Sequence, residues 1–146
     1  MEILRYIKAV FFSVCGILAS VSLEALGGYD NFLKTLIICM AIDIVSGWVV
    51  AAVFKKSAKT ESGRLESGAG LKGLLKKGCM LLVIVIAVLL DDLMQTGGLT
   101  RDAVVIAFIV NELVSVIENM GLMGIKLPDA LTDSVEALRN KKADKK

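Results

Sequence analysis

The 146-residue sequence contains no histidine, so the commonest side chain for metal ligation and proton transfer at neutral pH is missing. It has three cysteines, Cys15, Cys39 and Cys79, all in apolar surroundings and none in a C-x-x-C spacing. They read as small buried hydrophobes, and no donor set for a zinc or iron site is present. No glycine-rich loop follows a strand signal to cradle phosphate, and no nucleophile sits beside a base. No internal repeat is evident, which counts against a repeat-built transporter. The basic C-terminal tail lacks any aromatic residue on which a base would stack, so no nucleic-acid partner is expected. These absences describe a chain without an active site, and neither enzymatic activity nor a cofactor is expected.

What is present is apolar. Hydrophobic residues make up 55% of the chain and the mean hydropathy is +0.71, above the ordinary range for soluble domains. Four apolar stretches stand out: Ala9–Gly27, with Glu24 near its far end; Thr35–Phe54; Gly78–Leu90, continuing through Asp91 and Asp92 to Gly97; and Ala103–Ile117. A bilayer core of about 30 Å needs roughly 20 apolar helical residues. The second stretch meets that length outright. The third has 13 uncharged residues and spans only if Lys76 and Lys77 at one end, and Asp91 and Asp92 at the other, reach the headgroups. The fourth is interrupted by Asn111 and Glu112. The expectation is an all-α, multi-pass membrane protein, one membrane domain over 1–146. Its helices are placed at about 9–27, 32–54, 74–96 and 101–120.

Charge placement gives the sidedness. The segment 55–77 holds Lys55, Lys56, Lys59, Arg64, Lys72, Lys76 and Lys77; the region after the fourth stretch holds Lys126, Arg139, Lys141, Lys142, Lys145 and Lys146; Arg5 and Lys8 precede the first. Only Lys34 and Arg101 fall in the two other connections. Because basic loops stay cytoplasmic, this predicts four crossings with both termini and the central loop inside. A hairpin of the third and fourth stretches dipping into the inner leaflet keeps the same sidedness and remains open. The first stretch also reads as a signal peptide ending near Ser20-Val21-Ser22, and its removal would leave the orientation of the remainder unchanged.

The loop 55–77 is polar and rich in Gly and Ser, a flexible linker whose LKGLLKK end resembles the start of a basic interfacial helix. Over 127–146, Pro128 and Asp129 suit a helix start. Leu131, Val135 and Leu138 then share one narrow apolar face, expected to lie on the membrane or a neighbour. The basic tail beyond it would meet anionic lipid.

One aspartate stands inside the second stretch, in AIDIVSGWVV. The ten Leu, Ile, Val and Phe residues of Thr35–Phe54 favour insertion by roughly 3–6 kcal/mol, against about 2.5–3.5 kcal/mol for a central Asp. Insertion survives with little margin, so Asp43 should face protein or water. Cys39, Asp43, Ser46, Gly47 and Ala51 share one helical face. A similar stripe runs through Ala9, Ser13, Gly16, Ser20 and Glu24, and another through Asn111, Glu112, Ser115, Glu118 and Asn119. Such seams pack membrane helices closely, or line water once several copies surround a lumen. The candidates for packing or pore lining are Asp43, Ser46, Gly47, Asn111, Glu112 and Ser115.

Three motifs in order resemble a known family. IDIVSGWVVAAVFKK resembles the second-helix signature of small phage holins, with Asp43 followed by Ser46, where Thr is commoner, and Gly47. ESGAGLKGLLKKG resembles that family's lead into its third helix. NELVSVIENMGLMGIKLPDALTDSVEALRNK resembles its C-terminal signature. Over Thr35–Lys142 the chain is therefore similar to the phage-lysis and toxin-secretion holins of Gram-positive bacteria, which include the holin-like protein beside clostridial toxin genes. The resemblance implies self-association in the cytoplasmic membrane and a timed hole. That hole would release a cytoplasmic endolysin or toxin, with no direct contact implied. A small ion channel or transporter using Asp43 and Glu112, and a membrane adaptor recruiting a cytoplasmic partner, are the other readings of the same residues.

Overall fold

The computed structural model describes residues 22–57, 62 and 66–143. The described residues form helices and no strand. Helix α1, Asn31–Val49, continues through a π-helical turn, Val50–Phe54. Helix α2 is Ser67–Met94, α3 is Leu99–Leu122 and α4 is Asp129–Ala143. The first apolar stretch up to Val21, with Ala9, Ser13, Gly16 and Ser20 of its stripe and Ser20-Val21 of the proposed cleavage site, lies outside the described residues, as do Lys59, Arg64, Lys145 and Lys146.

Local chemistry fixes the helix ends. Asp30 is extended and its carboxylate accepts the Leu33 N–H at 2.8 Å, capping α1. At the start of α3 the cap comes from another helix. Asp91 accepts the backbone N–H of Thr100 at 2.9 Å and of Arg101 at 2.7 Å, together with the Thr96 hydroxyl. Those are two of the N–H groups a helix start leaves without an internal partner. The intervening turn passes through Gly97 and Gly98 at φ +65° and +91°, a conformation open to glycine.

Three of these helices are long and apolar enough to cross a membrane: Asn31–Phe54 with 24 residues, Ser67–Met94 with 28 and Leu99–Leu122 with 24. At 1.5 Å per residue they reach about 36–42 Å, beyond a core of about 30 Å. The 13-residue apolar run that looked short in the sequence is thus the centre of a 28-residue helix. Lys72, expected in the loop, and Lys76 and Lys77, expected where the loop meets the helix, all lie on that helix.

Helix α3 is the middle element, packed against both α1 and α2, whereas α1 and α2 share few direct contacts. Leu33, Leu36 and Met40 of α1 meet Met80 and Ile84 of α2 and Val105 of α3, with Leu26 closing the cluster. Buried positions recur at steps of three and four, as in Lys77, Met80, Ile84, Ala87 and Asp91, the spacing of left-handed helix packing. The outer faces are apolar: Leu93 is 82% exposed and Leu82 63%, while Asp43 is 5% exposed. Charge inside and hydrocarbon outside inverts the pattern of a soluble bundle. In α4, Val135 is buried, with Leu131 and Leu138 exposed beside it.

Candidate functional site: a charged seam between three helices

Asp43 of α1, Lys77 of α2 and Glu112 of α3 converge inside the bundle, one ionisable group from each helix. Lys77 Nζ lies 2.8 Å from Asp43 Oδ2 and also pairs with Glu112 Oε2. All three residues are buried. The opposite oxygen of Asp43 accepts the Ser115 hydroxyl at 2.7 Å and the Asn119 amide at 3.0 Å. Asn119 also donates to Ser46 Oγ at 2.9 Å, and Ser46 Oγ donates to the Asp43 carbonyl at 3.2 Å. No buried side-chain nitrogen or oxygen among the described residues lacks a partner. In an apolar medium this completeness is what makes the charges tolerable.

The six candidate residues separate. Asp43, Ser46, Glu112 and Ser115 join one network. Gly47 lies alongside it, and a Cβ there would sit 3.8 Å from Asn119 Nδ2, an ordinary contact. Asn111 is exposed at the rim of a cavity of about 330 Å³ shared with Lys72 and Lys76. Asn119, from the expected stripe, is a full member of the network; Glu118, from the same stripe, is exposed.

Two residues expected to reach the headgroups turn inward instead. Lys77 is a counter-ion, and Asp91 is the helix cap described above. Both fall on the three-and-four stripe of α2 that faces its neighbours. That register was the available signal for Lys77, hidden because the apolar run begins one residue later.

A second charged cluster lies at the opposite end of the bundle. Arg101, buried, donates to the carbonyls of Leu26 at 3.1 Å and Gly28 at 3.3 Å, to the Asp30 carboxylate, and to Asp102 at 2.9 Å. The Arg101 guanidinium holds the Asp30 carboxyl below its ordinary range. Gly27, at φ +82°, passes so close that a Cβ would lie 3.2 Å from Arg101 Nε. This cluster ties the start of α1 to the start of α3. Among the described residues no His, Cys, Asp and Glu group is arranged to hold a metal ion. The arrangement neutralises charge inside a membrane-length bundle and would offer a polar lining if the helices part.

Comparisons with known proteins agree with this picture. The chain is 33% identical over 117 residues to an uncharacterized 14.9 kDa protein of the nagH 3' region of Clostridium perfringens, covering 80% of this chain and 83% of that one. It is 32% identical over 118 residues to an uncharacterized protein of Listeria innocua, covering 81% and 79%. A probable holin of Bacillus phage phi105 is 28% identical over 113 residues, covering 77% and 78%. No solved structure matches. The profile of the bacteriophage holin family matches residues 20–140, and the chain belongs to that family.

Proposed function

We propose that this holin-family chain accumulates in the bacterial cytoplasmic membrane, self-associates, and at a set time opens a hole. A cytoplasmic endolysin, or a toxin, passes through it without needing to bind the protein. The observation that carries this reading is the buried Asp43–Lys77–Glu112 seam inside three helices whose outer faces are apolar. A single copy of so small a bundle encloses no lumen, so a wetted seam requires several copies around it.

The proposed topology has four crossings: the first apolar stretch and α1, α2 and α3. Both termini lie inside, where Lys55, Lys56, Lys72 and Lys76 meet the inner leaflet. Helix α4 would lie at the interface, with Leu131 and Leu138 toward lipid and the basic tail on anionic headgroups.

The test is induced expression in a bacterium carrying a cytoplasmic cell-wall-degrading enzyme, following membrane potential and culture density together. Abrupt depolarisation followed by enzyme-dependent lysis is expected. Depolarisation without lysis would assign an ion-sized pore instead. No change in either, with the protein shown to be in the membrane, would refute the reading.

A further inference from the structure

The three helix contacts of the bundle are unequal. Helices α1 and α3 pack broadly and are stitched together by Ser115 and Asn119 donating to Asp43 and Ser46. Helix α2 meets α3 less broadly and shares few direct contacts with α1. Between α1 and α2 lies a groove of about 750 Å³, walled by Gly47, Trp48 and Ala51 on one side and Ala69, Gly70 and Gly73 on the other. Asp43 and Lys77 both line it.

Burial along α2 is one-sided in the same sense. Its buried residues are Lys77, Met80, Ile84, Ala87 and Asp91. No residue from Ser67 to Lys76 is buried, and Leu71, Leu74 and Leu75 are 59%, 59% and 61% exposed. The far end, by contrast, is clamped: Asp91 holds the first turn of α3 across a tight connection. A helix fixed at one end and unburied at the other opens most easily at the unburied end. Lys77 is the first buried residue met from that end, and its ion pairs reach α1 and α3 together.

We propose that the bundle opens at the α1/α2 seam, with the Ser67-to-Lys77 end of α2 moving away from an intact α1–α3 pair about the Asp91 clamp, and that Lys77 is the positioning residue that keeps it closed. This rests on the hole-forming reading above for its purpose, and on the unequal seams for its geometry. Opening there uncovers Asp43 and Glu112 on the α1–α3 wall and Lys77 on the wall facing it, whereas parting α1 from α3 would also break the Ser115 and Asn119 bonds.

The experiment uses the full chain, with Cys15, Cys39 and Cys79 replaced by serine, reconstituted in sealed phospholipid vesicles. Spin-label distances are read between positions 48 and 71, across the α1/α2 groove, and between 49 and 123, across the α1/α3 contact. In the Lys77→Met and Asp43→Asn variants the 48–71 distance shifts outward and the 49–123 distance does not. Lys77→Arg, which keeps the charge, stays at the parent distance. An unshifted 48–71 distance in either neutralised variant, or an equal shift in both label pairs, overturns the proposal. Where Lys77→Met fails to insert, Asp43→Asn decides alone, since it keeps an oxygen for Ser115 and Asn119. Distances are read whether or not the vesicles leak. A shift without lysis in cells therefore refutes the holin reading and leaves the hinge, and lysis without a shift does the reverse.

Discussion

Replacing Lys77 with methionine keeps the length of the side chain and removes its charge. The Lys77, Asp43 and Glu112 side chains are 10%, 6% and 4% exposed, so water does not replace the lost ammonium. Two carboxylates that share one ammonium stand within about 6 Å of each other, and at an effective dielectric of about 20 their repulsion is roughly 3 kcal/mol. Removing one partner of a buried pair costs about 3–5 kcal/mol by the same logic. Neutralising all three residues together, as Asp43→Asn, Lys77→Met and Glu112→Gln, removes the repulsion and leaves an amide oxygen at position 43 for Ser115 and Asn119. That triple variant should cost about 1 kcal/mol or less relative to the parent. The assay is reversible unfolding of the purified full chain in mixed micelles, followed by far-ultraviolet circular dichroism. The triple variant should sit closer to the parent than Lys77→Met alone. A triple variant as destabilised as the sum of its single substitutions would refute the claim that Lys77 acts as counter-ion.

Three further outcomes follow from the same contacts. Asn119→Ala removes the amide bonds to Asp43 and Ser46 and should cost about 0.6–2 kcal/mol in that unfolding assay. Asp91→Ala leaves the Thr100 and Arg101 amides uncapped, so their hydrogen exchange should accelerate and the bundle lose about 1–2 kcal/mol. The pairing of Asp30 with Arg101 depresses its carboxyl, so its contribution is present above the unfolded carboxylate range near pH ~4. It is lost as pH falls through the lower folded value. Because the Asp30 side chain is 43% exposed, the loss should be about 1 kcal/mol or less, seen as an acid-side drop in melting temperature that Asp30→Asn abolishes.

The helices were legible because their apolar length is a local property. Asp43 could be placed on an inward face from hydrophobicity and helical spacing alone, and Ser46, Glu112 and Ser115 share the seam it implies. Lys77 was not legible in the same way. Counting apolar residues starts the third segment at Gly78 and assigns the lysine to the loop, because composition carries no information about a partner on another helix. The three-and-four step linking Lys77 to Met80, Ile84, Ala87 and Asp91 does carry it, once Lys77 is read as part of the helix rather than as its headgroup anchor. Asp91 shows the same limit. A carboxylate at the end of an apolar run reads as a headgroup contact, and its role as the cap of the next helix appears only when the chain turns back at Gly97 and Gly98. Asn111 shares a sequence neighbourhood with Glu112 but lies about 100° around the helix from it, which leaves it exposed while Glu112 is buried.

The composition of the seam bears on how a stable membrane protein can also come apart. Each helix brings one buried charge to the same cluster, and none of the three would be comfortable in hydrocarbon alone. Closed packing is therefore favoured by mutual neutralisation as much as by apolar contact. Mutual neutralisation is the kind of stabilisation that water replaces. Ions returned to water recover several kcal/mol of solvation each, which offsets much of the pairing they give up. An apolar seam of equal strength has no such compensation, because wetting it only costs free energy. A bundle held shut through Lys77 thus has a dry state and a wet state closer in free energy than their different packing suggests. The unburied first ten residues of α2 put little further weight on the dry side.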